Sequence, residues 1–288
     1  MKQLTVVSGK GGTGKTTLSG SFAYLARDAV ILDADVDASN LHLLFPVQVE
    51  TKMPYSGGKK AFVDEARCTG CGICQELCRF EAIALDGGVA RVNPFSCEGC
   101  NACAVFCPET AIHMEPVQAG WVQRGNVSGM PLVDGELFPG EETSGGLVAT
   151  VRKEGQGIAQ QHKYGKILID GAPGTGCPTT SSITYTDFVV IVTEPSQSGL
   201  HDLERIVRTV DHFAIPKGVV INKYDLEEGT SARIEQYCAT EGIPLMGKVP
   251  FDPEVVRAIR EARPVVTQPS PAAHAIRDLW EEVQRRVF

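Results

Sequence analysis

The sequence lacks several features that would each have pointed to a function. Its longest apolar runs fall well short of the ~20 residues that cross a bilayer. Its opening stretch, Met1 to Gly9, is too short in its apolar part for a secretory signal. It has no excess of positive charge: 27 Lys plus Arg stand against 35 Asp plus Glu, a net charge of −8. That argues against broad nucleic-acid binding, which needs a basic surface. Its six histidines form no i, i+4 pair of the kind that holds a metal on a helix. A cytoplasmic chain with no stable membrane anchor is the expectation. Cysteine, by contrast, is abundant, with ten in 288 residues. In a reducing compartment those cysteines point to metal or redox chemistry rather than disulfides.

The first 45 residues read as strand, glycine-rich loop, helix, strand. Leu4 to Val7 is an apolar, partly β-branched run. Leu18, Phe22 and Leu25 recur at helical spacing, and Val30-Ile31-Leu32 is a second buried strand. Between strand and helix lies Gly9-Lys10-Gly11-Gly12-Thr13-Gly14-Lys15-Thr16-Thr17, which fits G-x-x-x-x-G-K-[ST] in the context that gives that motif meaning. Glycines let backbone N–H groups converge on phosphate oxygens, and the following helix adds its positive N-terminal end. Gly11, Gly12, Thr13, Gly14, Lys15, Thr16 and Thr17 are therefore the expected phosphate cradle. Lys15 is assigned to the β- and γ-phosphates and the Thr16 hydroxyl to Mg²⁺.

Composition shifts after residues 46–60, which read as a Pro/Gly linker. Eight of the ten cysteines fall between 68 and 107, in a segment that repeats with an offset of 29. Cys68, Cys71, Cys74 and Cys78 map onto Cys97, Cys100, Cys103 and Cys107. Each run has the spacing C-x₂-C-x₂-C-x₃-C, the bacterial ferredoxin run, in which the fourth cysteine serves the other cluster. The expected ligand sets are Cys68, Cys71, Cys74 and Cys107 for one [4Fe–4S] cluster. Cys97, Cys100, Cys103 and Cys78 would hold the other. The first run ends in Arg79 where the second has Pro108, and residues 60–115 carry four basic against eight acidic residues. Residues 60–115 are expected to form an inserted module, and 1–59 with 116–288 a discontinuous nucleotide-binding domain. In the latter, strands around 166–170, 187–192 and 217–221 alternate with helices around 200–213, 230–241, 253–261 and 271–287. The fold class is α/β: a doubly wound, mostly parallel sheet with a small α+β ferredoxin-like insert.

The loop Lys10-Gly-Gly-Thr-Gly-Lys-Thr-Thr17 resembles the deviant Walker A of the MinD/ParA/Mrp superfamily, to which the nitrogenase iron protein also belongs. The resemblance implies ATP and Mg²⁺ as ligands and slow, partner-stimulated ATP hydrolysis. It also implies an ATP-dependent homodimer in which Lys10 reaches the partner subunit's nucleotide. By the same resemblance Asp35 orients the attacking water, Asp33 supports Mg²⁺, Asp170 ends the Walker B strand, and Gly174 offers its N–H to the γ-phosphate. Asn222 and Pro250 contact the adenine. Together with the cysteine runs, the chain resembles MinD-type ATPases carrying a two-cluster ferredoxin insert, and a redox or iron–sulfur acceptor protein is the implied partner.

Three functions are compatible with these features. The first is an ATP-driven dimer switch coupled to electron transfer through the clusters. The second is an ATPase of iron–sulfur assembly or of positioning and partitioning. Assembly scaffolds carry a C-terminal C-x-x-C, however, and here Cys238 stands alone. The third is an amide ligase, because the P-loop half also resembles the nucleotide domain of cobyrinic acid a,c-diamide synthase. That enzyme needs a glutaminase domain, for which the sequence leaves no room. Cys177, seven residues after Asp170, reads as a small buried residue. The apolar face Ile276, Leu279, Trp280, Val283 reads as packing on the sheet.

Overall fold

The computed structural model describes residues 1–141 and 144–288. In chain order its elements are β1 (Lys2–Ser8), α1 (Lys15–Ala26), β2 (Ala29–Asp33), β3 (Gln48–Val63), α2 (Ile73–Leu77), β4 (Ile83–Asp86), β5 (Val89–Val92), α3 (Ala102–Val105), β6 (Ile112–Val127) and β7 (Met130–Leu137). There follow α4 (Ser144–His162), β8 (Lys166–Pro173), α5 (Cys177–Ile183), β9 (Phe188–Thr193), α6 (Gln197–His212), β10 (Lys217–Asn222), α7 (Glu228–Thr240), β11 (Leu245–Val249), α8 (Pro253–Arg260) and α9 (Pro271–Val287).

The chain divides into two compact units. The first comprises Met1–Met53, Trp121–Leu137 and Ser144–Phe288; the second comprises Pro54–Gly120 and Phe138–Thr143. The large sheet has the order β11-β10-β9-β1-β8-β2-β7-β6-β3. From β11 to β7 every adjacent pair is parallel. Such strands are buried on both faces, which is why β9 reads as an unbroken apolar run. Alternation along β1 sends Leu4 and Val6 to one face and Val7 to the other. Leu4 and Val6 pack with Phe22 of α1 and with Ile276, Leu279 and Trp280 of α9. The Phe22 and Trp280 rings lie 5.3 Å apart. Val7 packs with Ile191, Leu203, Ile206 and Ile221, on the side of α6 and α7. The apolar face of α9 is thus core, as its periodicity implies.

In the second unit the 29-residue repeat becomes paired structure. α2 and α3 start at equivalent positions, after Gly72 and Asn101, both left-handed. Gly70 and Gly99 are equivalent too, at φ 68° and 66°. A Cβ on either would fall 2.2 Å from the Gly88 carbonyl oxygen or 2.1 Å from that of Lys59, so only glycine permits both approaches. β4 and β5 form the antiparallel hairpin between the copies.

One element departs from expectation. Residues 46–60 are not a linker; β3 runs through them as the edge strand of the large sheet. Proline is tolerated in edge strands, as Pro54 is in β3, and the strand's exposure removes the apolar signature that would mark it.

Candidate functional site

In a parallel sheet the strand order that places β1 between β8 and β9 leaves a crevice at the strands' carboxyl ends. The loop after β1 occupies it. Gly12 and Gly14 take φ 80° and 92°, and Gly14 begins α1. A Cβ on Gly14 would fall 2.1 Å from Asn222 Nδ2, which itself donates to the Thr13 carbonyl at 2.7 Å. The loop opens on a cavity of about 1250 Å³ lined by Gly11, Lys15, Thr16, Thr17, Asp35 and Asp37, among others. Beside it an apolar cavity of about 530 Å³ is lined by Gly14, Thr17, Val192, Asn222, Pro250 and Phe251, among others. Its largely apolar lining suits a heteroaromatic ring.

Lys15 is buried with three carboxylates. Its Nζ lies 2.9 Å from Asp170 and 3.4 Å from Asp35, and its neighbour Thr16 Oγ1 is also at 3.4 Å. Burial alone would lower the lysine's pKa, but Asp170, Asp35 and Asp33 together hold it above its ordinary value. Asp170 Oδ1 accepts from Lys15 and from Ser19 Oγ at 2.7 Å. Its Oδ2 is buried with no hydrogen-bond partner among the described residues. Asp170 and Thr16 both approach the Lys15 ammonium, and an unpartnered carboxylate oxygen and a threonine hydroxyl are hard-oxygen donors of the kind that fits Mg²⁺. Burial pushes Asp35 up as well, opposed by Lys15.

Asp33 does something other than face the cradle. Its Oδ2 accepts from Ser39 Oγ (2.8 Å), Asn40 N (3.1 Å) and Leu41 N (2.9 Å), and its Oδ1 from Asp35 N (3.2 Å). It clamps the loop that carries Asp35. Burial, then the nearby Asp170, push its pKa up to about 7, with Lys15 opposing. Gly174, at φ 85°, donates its N–H to the Ser8 carbonyl at 2.8 Å rather than toward the cradle. Lys10 also points within its own chain, to Glu194 at 2.8 Å. Cys177, read as buried, is exposed at the start of α5. It follows the Gly174–Gly176 turn, β8 having ended at Pro173, four residues earlier.

Two residues escaped the reading of the sequence. Ser19 lies one helical turn after Lys15 on the inward face of α1, a position its spacing could have flagged. Glu194 directly follows the apolar run of β9, as Asp170 sits in that of β8; the same rule applied to β9 would have found it.

The eight clustered cysteines divide between two cavities of the second unit. Cys68, Cys71, Cys74 and Cys107 line one of about 340 Å³. Cys78, Cys97, Cys100 and Cys103 line another of about 360 Å³. Each set takes three sulfurs from one run and the fourth from the other. Backbone N–H groups of Ala82 and Ala111, equivalent in the repeat, donate to Cys78 and Cys107 Sγ at 3.4 and 3.3 Å; Ala90 donates to Cys68 Sγ at 3.4 Å. Burial pushes the Cys74 and Cys103 thiols up, so as thiolates they need a cation nearby. The remaining lining includes Leu85, Ala90 and Ile112 in one cavity and Ala61, Ile83 and Met114 in the other. Soft thiolates with N–H donors inside an apolar shell fit an iron–sulfur cluster. Among the described residues, no group of three or more His, Cys, Asp or Glu is placed so that it could hold a metal ion. No helix among them is long and apolar enough to cross a membrane.

Residues 4–265 match the family model of the CobQ/CobB/MinD/ParA nucleotide-binding domain. The chain belongs to that family. It is 30% identical over 285 residues to an uncharacterised protein of Methanocaldococcus jannaschii, covering 98% of this chain and 96% of that one. Among solved structures it resembles the septum site-determining protein MinD of Pyrococcus horikoshii, complexed with Mg-ADP. That match has a TM-score of 0.59 and 20% identity, and covers 99% of this chain and 96% of that chain. The Aquifex aeolicus MinC:MinD complex superposes with a TM-score of 0.58 at 17% identity, over 100% and 97% of the two chains. These structural likenesses establish the MinD-like α/β fold.

Proposed function

We propose that this protein is an ATP-hydrolysing dimer switch coupled to electron transfer through two [4Fe–4S] clusters. The observation that carries the coupling is the crossed division of eight cysteines between two apolar cavities, in a chain whose other unit carries the P-loop. Residues 60–115 are the inserted cluster-binding module in this reading, and 1–59 with 116–288 the ATPase. Each cluster, when bound, supplies a one-electron centre.

On the nucleotide side, the loop N–H groups and Lys15 hold the β- and γ-phosphates. Mg²⁺, when bound by Thr16 and Asp170, offsets charge on the phosphoryl oxygens. Lys15 must leave Asp170 and Asp35 to reach the nucleotide, and that exchange frees Asp35 to orient water. Asp33 acts one step back, by holding the loop from which Asp35 projects. Asn222 and Pro250 border the adenine. Lys10 completes the site of a second copy, so hydrolysis waits on dimerisation.

The test is an anaerobic redox titration followed by EPR, with and without Mg-ATP, beside Lys10→Ala. Two [4Fe–4S]⁺ signals whose potentials move with ATP in the parent, but not in Lys10→Ala, are expected. Clusters indifferent to nucleotide would refute the coupling. They would favour a second reading, supported by the likeness to MinD septum site-determining proteins: a positioning ATPase, or one of iron–sulfur delivery, in which the clusters turn over no electrons.

A further inference from the structure

Lys10 is held by its own chain at three points. Its Nζ lies 2.8 Å from Glu194 Oε1, 3.1 Å from Ser196 Oγ and 2.8 Å from Ser198 Oγ, all at the junction of β9 and α6. The Lys10 and Glu194 side chains are 27% and 23% exposed, so the pair is more than a loose surface contact. The Lys10 carbonyl is fixed separately, as acceptor for Ser8 Oγ at 2.7 Å. Only the side chain is therefore free to change partners. Glu194 also binds Lys223 at 3.2 Å, and Lys223 Nζ donates to the Gly12 carbonyl at 3.1 Å. If Lys10 leaves, Lys223 still neutralises Glu194, and no bare carboxylate stays behind.

We infer that Glu194 is a positioning residue that stores Lys10 on its own subunit, through the Lys10–Glu194–Lys223 bridge, and so sets the ATP concentration at which two copies close. This rests on the reading of Lys10 as a residue acting on a partner's nucleotide. Storage and reach compete for one ammonium group. Every dimer has to undo two such pairs, one per chain. An ion pair of this exposure shifts an equilibrium about fivefold, or ~1 kcal/mol, so two shift the dimer constant about 25-fold.

Two measurements on the cluster-loaded full chain test it. In brief acetylation with acetic anhydride, read by peptide mass spectrometry, Lys10 of the nucleotide-free parent should react slowly relative to exposed Lys163. In Glu194→Gln it should react about fivefold faster. Sedimentation with a non-hydrolysable ATP analogue and Mg²⁺ should show the dimer of Glu194→Gln tighter by about 25-fold. Ser198→Ala should shift the same way by less, because it removes one hydrogen bond and leaves Lys223 untouched. Adding Glu194→Gln to Lys10→Ala should change nothing further. Unchanged Lys10 labelling in Glu194→Gln overturns storage. A dimer that tightens equally in the Lys10→Ala background overturns the route through Lys10. Parental dimerisation of Lys10→Ala alone overturns the inference differently, by removing the trans role beneath it.

Discussion

Asp134 should cost this protein stability at neutral pH, and Asp134→Asn should recover it. The residue lies on β7 in register with Asp33 of β2. Its Oδ1 is buried with no hydrogen-bond partner among the described residues. Burial pushes its pKa up to about 6 from 3.8, with Glu136 adding to the effect and His42 and Lys52 opposing it. The folded state thus binds this proton more tightly than the unfolded chain does. Between pH 3.8 and about 6 the native state carries more protons, so stability falls as pH rises through that window and levels off above it. At ~1.4 kcal/mol per pH unit, the ionised carboxylate costs about 3 kcal/mol at pH 7.5 and about half that at pH 5. Asparagine keeps the shape and carries no charge. Its advantage over the parent should therefore grow by roughly 1 kcal/mol from pH 5 to pH 7.5. Urea unfolding followed by tryptophan fluorescence reads the relevant unit, since Trp121 and Trp280 both belong to it. At an m-value of about 3 kcal/mol/M the midpoint of Asp134→Asn should lie roughly 1 M above the parent at pH 7.5. A parent–variant difference that stays constant with pH would falsify the reasoning. So would a variant less stable than the parent at pH 7.5.

Three further outcomes follow from the geometry. Gly14→Ala forces a side chain at φ 92° onto Asn222, so ADP affinity by calorimetry should fall at least roughly tenfold while the fold persists. Arg152 is buried and, among the described residues, pairs with no carboxylate; its guanidinium donates to the Ser181 and Thr184 carbonyls and to Gln3 Oε1, and burial lowers its pKa to about 10. Arg152→Met would strand those acceptors and lower unfolding free energy by about 3 kcal/mol, with nucleotide affinity at the parental value. Cys107→Ser and Cys68→Ser should each lower iron content from about 8 to about 4 per chain, and the double variant should lose no more. Loss of nearly all iron in that double variant, measured after anaerobic reconstitution, would show that the two cysteines serve different clusters.

The parallel half of the fold was legible because buried strands write themselves as apolar runs. Leu4–Val7, Ile167–Ile169 and Val189–Val192 are solid blocks, and a P-loop between the first run and a helix admits few topologies. β3 was not legible for the opposite reason. Its residues are mostly exposed, so neither alternation nor a run survives, and Pro54, Gly57 and Gly58 imitate a linker. At the site, Lys15, Asp35 and Asp170, the residues that motif spacing singles out, lie as neighbours. It could not tell which way Asp33 turns. That depends on three donors, Ser39, Asn40 and Leu41, which converge only because the chain bends back after Asp37.

Four adjacent or nearby strands carry an acid directly after an apolar stretch: Asp134 after Val133 within β7, Asp33 after Leu32 at the end of β2, Asp170 after Ile169 within β8, and Glu194 just beyond Thr193 of β9. In sequence they are equivalent, each a carboxylate closing an apolar run. What separates them is the count and kind of their partners. Asp33 collects four hydrogen-bond donors from its own loop and becomes a clamp. Asp170 has a lysine and a serine on one oxygen and nothing on the other, which leaves that oxygen for a cation. Glu194 holds two lysines, so it can release one and remain neutralised. Asp134 has one buried oxygen with no partner among the described residues, and the cost of its charge is offset only in part by His42 and Lys52. The division predicts an order of response to amide substitution. Removing the charge should stabilise at Asp134, change dimer closure at Glu194, and abolish Mg²⁺-dependent nucleotide affinity at Asp170. At Asp33 it should loosen the loop bearing Asp35, lowering turnover more than binding. A shared response at all four positions would mean that the strand edge, and not the partner count, decides what each acid does.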